Sequence, residues 1–330
     1  MIGRKVSKLL DLTIARLLPS VSDSDTLLVL AFHAVLADMS ELSANVIDPY
    51  QPITLDDIAR IVGTLKSRGF RFVDGRDLSR AGLKGPAAWL TFDDGYANNL
   101  RLLPLLNDLR VPATVFVATS FVDTGEAFWW DVLFREGTRA GQSAETLARW
   151  REDIKRQSPE QIREILVDRF GAASLRPVGE LDRPMTPEEV AFMSRDPLVE
   201  IGNHTHLHSI LLHTDPEDQL RDVLRCQERL YQMTGRRPVT IAYPNGNPSL
   251  QSLAISRQVG LNFGVTCAPC RTSIATLREP GAAFAIGRFA SLRHGKLDRE
   301  LDLALAPKGL AQSRARRETT ALVRGMGTVD

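Results

Sequence analysis

Two adjacent carboxylates, Asp93 and Asp94, follow the predicted strand Ala87–Phe92 and precede Gly95. Successive side chains at the end of a strand normally point to opposite faces. A turn at Gly95 brings both carboxylates into one crevice, at the sheet edge where ligands bind in α/β folds. One carboxylate there can hold a metal ion while its neighbour acts as a base. A solvated acidic turn is the alternative, because Asp-Gly is a common turn pair.

A second run holds half of the six histidines of the chain within five residues, as His204, His206 and His208. In one helical turn His204 and His208 would share a face, since residues four apart are neighbours there. Two imidazoles and one carboxylate make a zinc-type site with an open position for water. Thr205 is expected to bond a nearby backbone group, and His206 to be structural or exposed. A buried core histidine is the alternative for any one of them.

Alternating strands and helices must position these side chains. Short apolar runs alternate with amphipathic stretches, which is typical of βαβ units and a mainly parallel sheet. Residues 121–186 interrupt this rhythm with an aromatic group and a charged helical stretch, and we predict an insertion there. The predicted strands and apolar runs are 26–34, 87–92, 112–118, 198–201, 240–242, 263–266 and 284–289, and the predicted helices are 54–68, 98–109 and 216–233.

The composition excludes some functions and favours a reducing compartment. The formal net charge is +1 over 330 residues, so no overall charge attracts nucleic acid. Only three cysteines occur, which argues against a disulfide framework. Cys267 and Cys270 form a lone CxxC without the second pair that a zinc ribbon needs, and we predict an ordinary loop. A cytoplasmic protein is therefore expected.

The two ends of the chain differ from its centre. Residues 1–25 are predicted to form an amphipathic helix, because Lys8, Asp11 and Arg16 interrupt the apolar core that a signal peptide needs. It either packs on the protein or rests on a membrane surface as a peripheral contact. No uncharged apolar stretch reaches the roughly 18 residues that span a bilayer. Residues 307–330 lack apolar periodicity and are predicted to be a mobile tail. Nothing in the sequence indicates an oligomeric state.

Both motifs together resemble a known family. Thr-Phe-Asp-Asp-Gly at 91–95, followed by His204-Thr205-x-x-His208, is similar to the first two motifs of the polysaccharide deacetylases, carbohydrate esterase family 4 or the NodB-homology domain. The resemblance covers about Leu28 to Phe289 apart from the insertion. It implies an α/β fold with a distorted (β/α) barrel, usually seven-stranded, over residues 26–306.

The resemblance implies a role for each motif residue. Asp94, His204 and His208 would hold a divalent metal ion, expected to be zinc, with cobalt or nickel as alternatives. Such an ion lowers the pKa of bound water toward roughly 7. Asp93 would be the general base that takes the water's proton as it attacks the amide carbonyl.

The turn at 243–246 resembles the third motif of the family, whose backbone N–H stabilises the developing oxyanion. We place this donor near Asn245 and expect Tyr243 to contact the substrate. Many members carry an arginine here that pairs with the base, but this chain has Ala242. Arg288 is the hypothesised replacement from another strand, and its charge would keep Asp93 ionised.

The general acid has two candidates. Many members supply a histidine after the third motif, where this chain has only His294, in a poorly matching context. His33 resembles the strand-end histidine of a circularly permuted subgroup, in which it takes the acid position. His33 ends an apolar strand and would lie at the same rim as Asp93, so we predict that it is the acid. The alternative is a histidine that closes the core. Trp129 and Trp130 are predicted either to stack on a sugar ring or to pack the insertion onto the barrel.

These features predict a metal-dependent hydrolase of carbon–nitrogen bonds that removes an N-acetyl or O-acetyl group from a carbohydrate. A nucleotide- or lipid-linked precursor of a surface glycan is the expected substrate. Hydrolysis of a different amide bond in a small molecule is one alternative. A non-catalytic carbohydrate-binding relic is another, although such a protein would be expected to lose its ligands or its base.

Overall fold

The computed structural model describes residues 25–80, 83, 85–279 and 281–306. The predicted N-terminal helix, with the membrane contact expected of it, and the predicted tail at 307–330 lie outside the described residues. Within the described part of the chain, no helix combines the length and the apolar character needed to cross a bilayer.

Parallel strands form the centre of the fold. The strands of the described residues are β1 (Thr26–Phe32), β2 (Val35–Leu36), β3 (Ile53–Thr54), β4 (Arg71–Phe72), β5 (Ala87–Phe92), β6 (Ala113–Val117), β7 (Val199–Asn203), β8 (Thr240–Ala242), β9 (Phe263–Val265) and β10 (Thr272–Ser273). Six of them are parallel neighbours in the order β1-β5-β6-β7-β8-β9. β10 pairs antiparallel with β1, β4 pairs with the start of β5, and β2 pairs with β3 in a separate sheet.

A short closing segment, residues 286–289, joins the two ends of this curled sheet. Ile286 forms a parallel bridge with Val265 of β9, and Phe289 forms one with Leu30 of β1. With this segment, seven parallel elements surround the interior. The predicted (β/α) barrel of seven strands is confirmed.

Helices connect the strands and cover the sheet. The α-helices found in the described ranges are α1 (Leu55–Ser67), α2 (Gly75–Leu78), α3 (Leu102–Leu109), α4 (Thr119–Thr124), α5 (Trp129–Arg139), α6 (Ala144–Ile154), α7 (Pro159–Phe170), α8 (Pro187–Met193), α9 (Pro216–Thr234), α10 (Leu250–Gln258) and α11 (Leu297–Leu305). Short 3-10 helices occupy Met39–Ala44, Ala97–Arg101, Ala172–Leu175, Leu211–His213, Pro244–Gly246, Ala275–Arg278 and Ala282–Phe284.

Local sequence explains several of these boundaries. Thr54 and Asp57 form a reciprocal capping box that starts α1. α9 begins at Pro216 and ends at Gly235, whose φ of 70° is the left-handed conformation that glycine adopts easily. The predicted helix 98–109 begins instead as a 3-10 helix and becomes α-helical at Leu102. The CxxC run lies in the loop between β9 and β10, as predicted.

Two apolar layers hold the barrel together. Side chains alternate along β1, so that Leu27 and Val29 face the barrel interior while Leu28 and Leu30 face the helices. All four are fully buried. Because every parallel strand ends at the same rim, residues that follow these strands gather there.

Helices α5, α6 and α7 form the predicted helical insertion and have a small core of their own, which includes Val132, Ile154 and Leu166. Arg135 of α5 forms an ion pair with Asp182, and both side chains are almost completely buried. This ion pair connects α5 of the insertion to the segment around Asp182, which precedes α8.

Candidate metal and catalytic site

The two carboxylates of the first motif lie at the C-terminal end of β5. The backbone N–H of Asp93 donates to the carbonyl of Phe32 at 2.8 Å, which joins the ends of β5 and β1. Asp94 has a positive φ of 76°, and Gly95 follows with 88°. The left-handed conformation thus begins one residue earlier than predicted, at an aspartate, one of the few residue types other than glycine that are enriched there. It brings both buried carboxylates into one cavity.

His204 directly follows β7, and His208 lies in the loop beyond it. The predicted helical turn is wrong, because Thr205 and His208 have φ values of 60° and 56°. The two imidazoles still meet, with ring centroids 4.9 Å apart. Their Nε2 atoms lie 3.3 and 3.4 Å from the same Oδ1 of Asp94.

Side chains from β7 and α9 hold this loop out of a helix. Asn203 Oδ1 accepts the N–H of Thr205 at 2.8 Å. Asp222 Oδ1 accepts the N–H groups of His206 and Leu207 at 2.8 and 2.7 Å. These bonds take the place of helical hydrogen bonds. The hydroxyl of Thr205 has no partner among the described residues, so the backbone bond predicted for it is not formed.

Asp94, His204 and His208 fit a divalent ion. Each offers one ligand atom, and the three atoms lie within 4.8 Å of one another. His204 Nδ1 donates to the carbonyl of Ala242 at 2.8 Å, which leaves its Nε2 facing Asp94. Histidines that bind metals commonly donate their other N–H in this way. One carboxylate and two imidazoles are also a donor set of catalytic zinc sites.

The charges around these atoms favour a cation. Burial alone would raise the pKa of Asp94, but hydrogen bonds from His204 and His208 outweigh burial and hold that pKa well below its usual range. Burial lowers the pKa of His208. Burial acts the same way on His204, but Asp93 and Asp94 outweigh it and raise the pKa of His204. The two carboxylates therefore attract positive charge to this point, which a divalent ion would supply.

Arg288, from the closing segment, forms a bidentate ion pair with Asp93. The Nη1–Oδ1 and Nη2–Oδ2 distances are 2.7 and 2.8 Å, and Arg288 is 0% exposed. Its Nη1 and Nε also donate to the hydroxyl of Thr91 and the carbonyl of Thr266. Burial acts to raise the pKa of Asp93, but Arg288, together with His204 and His33, outweighs it and keeps that pKa below its usual value. The expected ion pair is present, and it keeps Asp93 ionised.

His33 directly follows β1 and lines the same cavity as Asp93 and Asp94. Its carbonyl accepts the Nδ2–H of Asn99 at 2.9 Å, which fixes the strand end. His33 lies close enough to contribute to the lowered pKa of both acids. It is therefore at the predicted rim, and its role as the acid stays a prediction.

Two other histidines lie away from the metal ligands. His294 is 44% exposed, and its Nδ1 lies 2.8 Å from Oδ2 of Asp57 at the start of α1. It does not line the cavity that contains Asp93, Asp94 and His33. His206 is buried and its Nδ1 lies 2.9 Å from the hydroxyl of Thr119, which makes it structural.

The turn after β8 approaches the site through its backbone. Asn245 and Gly246 line the cavity with φ values of 58° and 71°. A Cβ on Gly246 would lie 2.5 Å from the backbone nitrogen of Cys267, so only glycine fits. The side chain of Tyr243 points into the core instead, where its hydroxyl donates to that of Ser256 at 3.2 Å. The predicted substrate contact of Tyr243 is wrong, because this orientation places its ring against α10 rather than in the cavity.

The three candidate ligands line a cavity of about 610 Å³ between the loop after β1, the insertion and α11. Trp129 and Trp130 both line it, so contact with a sugar ring stays a prediction for each. Trp130 stacks on Phe128, with ring centroids 5.3 Å apart and planes 17° apart. Its Nε1 also donates to the hydroxyl of Tyr96, which follows the first motif, so Trp130 also packs the insertion onto the barrel.

Tyr96 and Asp131 also lie in the cavity wall, and neither was predicted as a site residue from the sequence. The Tyr96 hydroxyl donates to Oδ2 of Asp131 and accepts from Nε1 of Trp130, both at 2.7 Å. Asp131 Oδ1 accepts the N–H of Asp48 at 2.8 Å. Position in the sequence could have indicated both residues, because Tyr96 directly follows Gly95 of the first motif and Asp131 directly follows the two tryptophans.

Fold and site together define a class of hydrolase. The family model described as polysaccharide deacetylase matches residues 80–264, which is more than half of the chain. The chain belongs to the polysaccharide deacetylase family. It is accordingly an enzyme that hydrolyses non-peptide carbon–nitrogen bonds, with a carbohydrate as substrate.

Several solved structures share this fold. The Streptococcus pyogenes deacetylase PplD, in complex with acetate, is 18% identical with a TM-score of 0.59, over 86% of this chain and 100% of that one. IcaB from Ammonifex degensii is 20% identical with a TM-score of 0.55, over 86% and 98%. The BpsB deacetylase domain from Bordetella bronchiseptica is 21% identical with a TM-score of 0.53, over 82% and 97%. No curated protein sequence matches the chain.

Proposed function

We propose that this enzyme removes the N-acetyl group of an amino sugar with a divalent metal ion held by Asp94, His204 and His208. The observation that carries the proposal is the convergence of three ligand atoms within 4.8 Å. A carboxylate that Arg288 keeps ionised, Asp93, lies directly beside them. Family membership supports deacetylation of a carbohydrate, and the S. pyogenes structure contains acetate, the product of such a reaction.

When bound, the divalent ion supplies a Lewis acid and a water of lowered pKa. Asp94 contributes a negative ligand, and the Ala242 carbonyl orients His204. Asp93 accepts the proton of the attacking water. Its bidentate bond to Arg288 fixes the carboxylate before substrate arrives, which reduces the entropic cost of orienting the base.

Four further residues complete the proposed mechanism. The backbone N–H of Asn245, in its left-handed turn, donates to the developing oxyanion. His33 protonates the leaving amine, and its place on β1 supports membership of the circularly permuted subgroup. Trp129 and Trp130 contact the sugar ring from the side of the insertion.

We further propose zinc as the metal, with cobalt or nickel able to replace it. The substrate is a cytoplasmic precursor of a surface glycan, linked to a lipid or a nucleotide. The low cysteine content supports this location. A cavity of about 610 Å³ with walls on three sides supports a short saccharide over a long polymer.

The test is acetate release from N-acetylglucosamine oligomers by protein stripped of metal and then given zinc, cobalt or nickel. We expect no activity before metal is added and recovery afterwards. Asp94→Asn should bind no zinc and release no acetate, whereas Asp123→Asn, at a surface pair with Arg229, should behave as wild type. Acetate release by metal-free Asp94→Asn would contradict the proposal. Turnover of small amides or formylated amines, but of no sugar, would favour a different amide substrate.

A further inference from the structure

The two proposed histidine ligands are held in different ways. His204 donates its Nδ1 proton to the carbonyl of Ala242 at 2.8 Å. For His208, by contrast, the part of the chain that the structure describes offers no hydrogen-bond partner to Nδ1. Its backbone lies in a loop, with a φ of 56°. Metal-binding histidines usually have an outer partner that sets the ring orientation, and among the described residues a contact of another kind is available to orient His208.

The ring of Trp130 supplies such a contact. Its centroid lies 4.9 Å from that of His208, with an angle of 51° between the planes. On its other sides Trp130 stacks on Phe128 and meets the ring of Phe121 edge-on, at centroid distances of 5.3 and 6.0 Å. These contacts leave the indole little freedom to tilt away from His208.

Hydrogen bonds fix the indole within its own plane. Its Nε1 donates to the hydroxyl of Tyr96 at 2.7 Å, and that hydroxyl donates to Oδ2 of Asp131 at 2.7 Å. Asp131 is almost completely buried, and its Oδ1 accepts the N–H of Asp48 at 2.8 Å. Tyr96 comes two residues after Asp94, whereas Trp130 and Asp131 belong to the insertion. The chain of contacts therefore joins the insertion to both motifs of the site.

We propose that Trp130 is a positioning residue that holds His208 in its metal-binding orientation, and that Tyr96 and Asp131 in turn hold Trp130. This inference rests on the metal centre of the proposed function. It gives the insertion a defined task, which is to supply the outer contact that His208 lacks within its own loop.

The test is zinc affinity, measured by competition with a chromophoric chelator on the full chain. Trp130→Leu removes the ring, and we expect its dissociation constant for zinc to rise about 10–100-fold, the range usual for loss of an outer partner. Trp130→Phe and Tyr96→Phe keep an aromatic ring but break the hydrogen bonds, and should give smaller rises. Trp150→Phe, on α6 under the guanidinium of Arg169, is the matched control and should bind zinc as wild type does.

The visible spectrum of the cobalt-loaded protein gives a second readout, because it reports ligand geometry without catalysis. We expect it to change in the Trp130 and Tyr96 variants and not in the control. If wild type binds metal, but folded Trp130→Phe and Tyr96→Phe show wild-type zinc affinity and an unchanged spectrum, the positioning role of Trp130 is overturned. The proposed metal centre would not be affected by that result. A wild-type protein that binds no zinc, cobalt or nickel would overturn the proposed metal centre and this inference with it.

Discussion

Replacing Arg288 with methionine tests whether its charge sets the ionisation of the proposed base. Methionine keeps much of the length and apolar volume of the side chain but removes both bonds to Asp93. Burial then acts on Asp93 without its main opposing charge, so the pKa of Asp93 should rise. We expect the acidic limb of the profile of kcat/KM against pH to move to higher pH. At pH values below the limb, kcat/KM should fall about tenfold for each unit by which the pKa of Asp93 rises.

The same change has a cost in stability. Asp93 and Arg288 are 5% and 0% exposed, so this is a buried pair. Removing one partner of such a pair typically costs about 3–5 kcal/mol, against a total stability of about 5–15 kcal/mol. In wild type the lowered pKa of Asp93 contributes stability above the usual carboxyl pKa and loses it as the pH falls through the folded value. The free energy of unfolding that Arg288→Met loses relative to wild type should become smaller at lower pH, because burial of a protonated carboxyl group costs less than burial of a carboxylate.

The assay is acetate release from pH 5 to 9, with urea unfolding at pH 5 and pH 7. Arg135→Met is the matched control, since Arg135 is equally buried and pairs with Asp182 in the insertion. It should lose comparable stability without moving the acidic limb. If the limb of Arg288→Met coincides with that of wild type in folded protein, the ion pair does not set the ionisation of the base.

Three more predictions concern single side chains. His33→Gln should lower kcat by about 10²–10⁴-fold without changing zinc affinity, and undiminished turnover would refute its role as the acid. Burial raises the pKa of Glu200 from 4.5 to about 7, so the folded protein favours the protonated carboxyl group of this residue. Wild type should lose up to about 3 kcal/mol as the pH rises through this interval, whereas urea unfolding of Glu200→Gln should show no such loss. Gly246→Ala should lower the melting temperature more than Gly235→Ala, because both have positive φ but only Gly246 would clash, with Cys267. Equal melting temperatures would contradict the clash.

The parts of the site that follow strand ends could be predicted from sequence. Asp93, His33 and His204 each come directly after an apolar strand, and parallel strands end at one rim. The pairing of Arg288 with Asp93 was anticipated from the resemblance, which implies an arginine beside the base where this chain has Ala242.

Other contacts between distant segments could not be predicted. The loop at 204–208 is irregular because Asp222, on a later helix, takes the N–H groups that a helix would use. The bond between Tyr96 and Asp131 joins residues 35 positions apart, and no periodicity reports such a pair. The ring of Tyr243 turned inward for a similar reason, since its partner Ser256 belongs to α10.

The closing segment makes the order of synthesis matter. Arg288 lies 195 positions after Asp93, so a ribosome has made all three proposed metal ligands well before it adds the residue that keeps the base charged. A growing chain thus contains the proposed ligands early, but the proposed base gains its paired charge only after the closing segment has been added. A fragment limited to residues 80–264 would contain all three proposed ligands but would lack both His33 and Arg288.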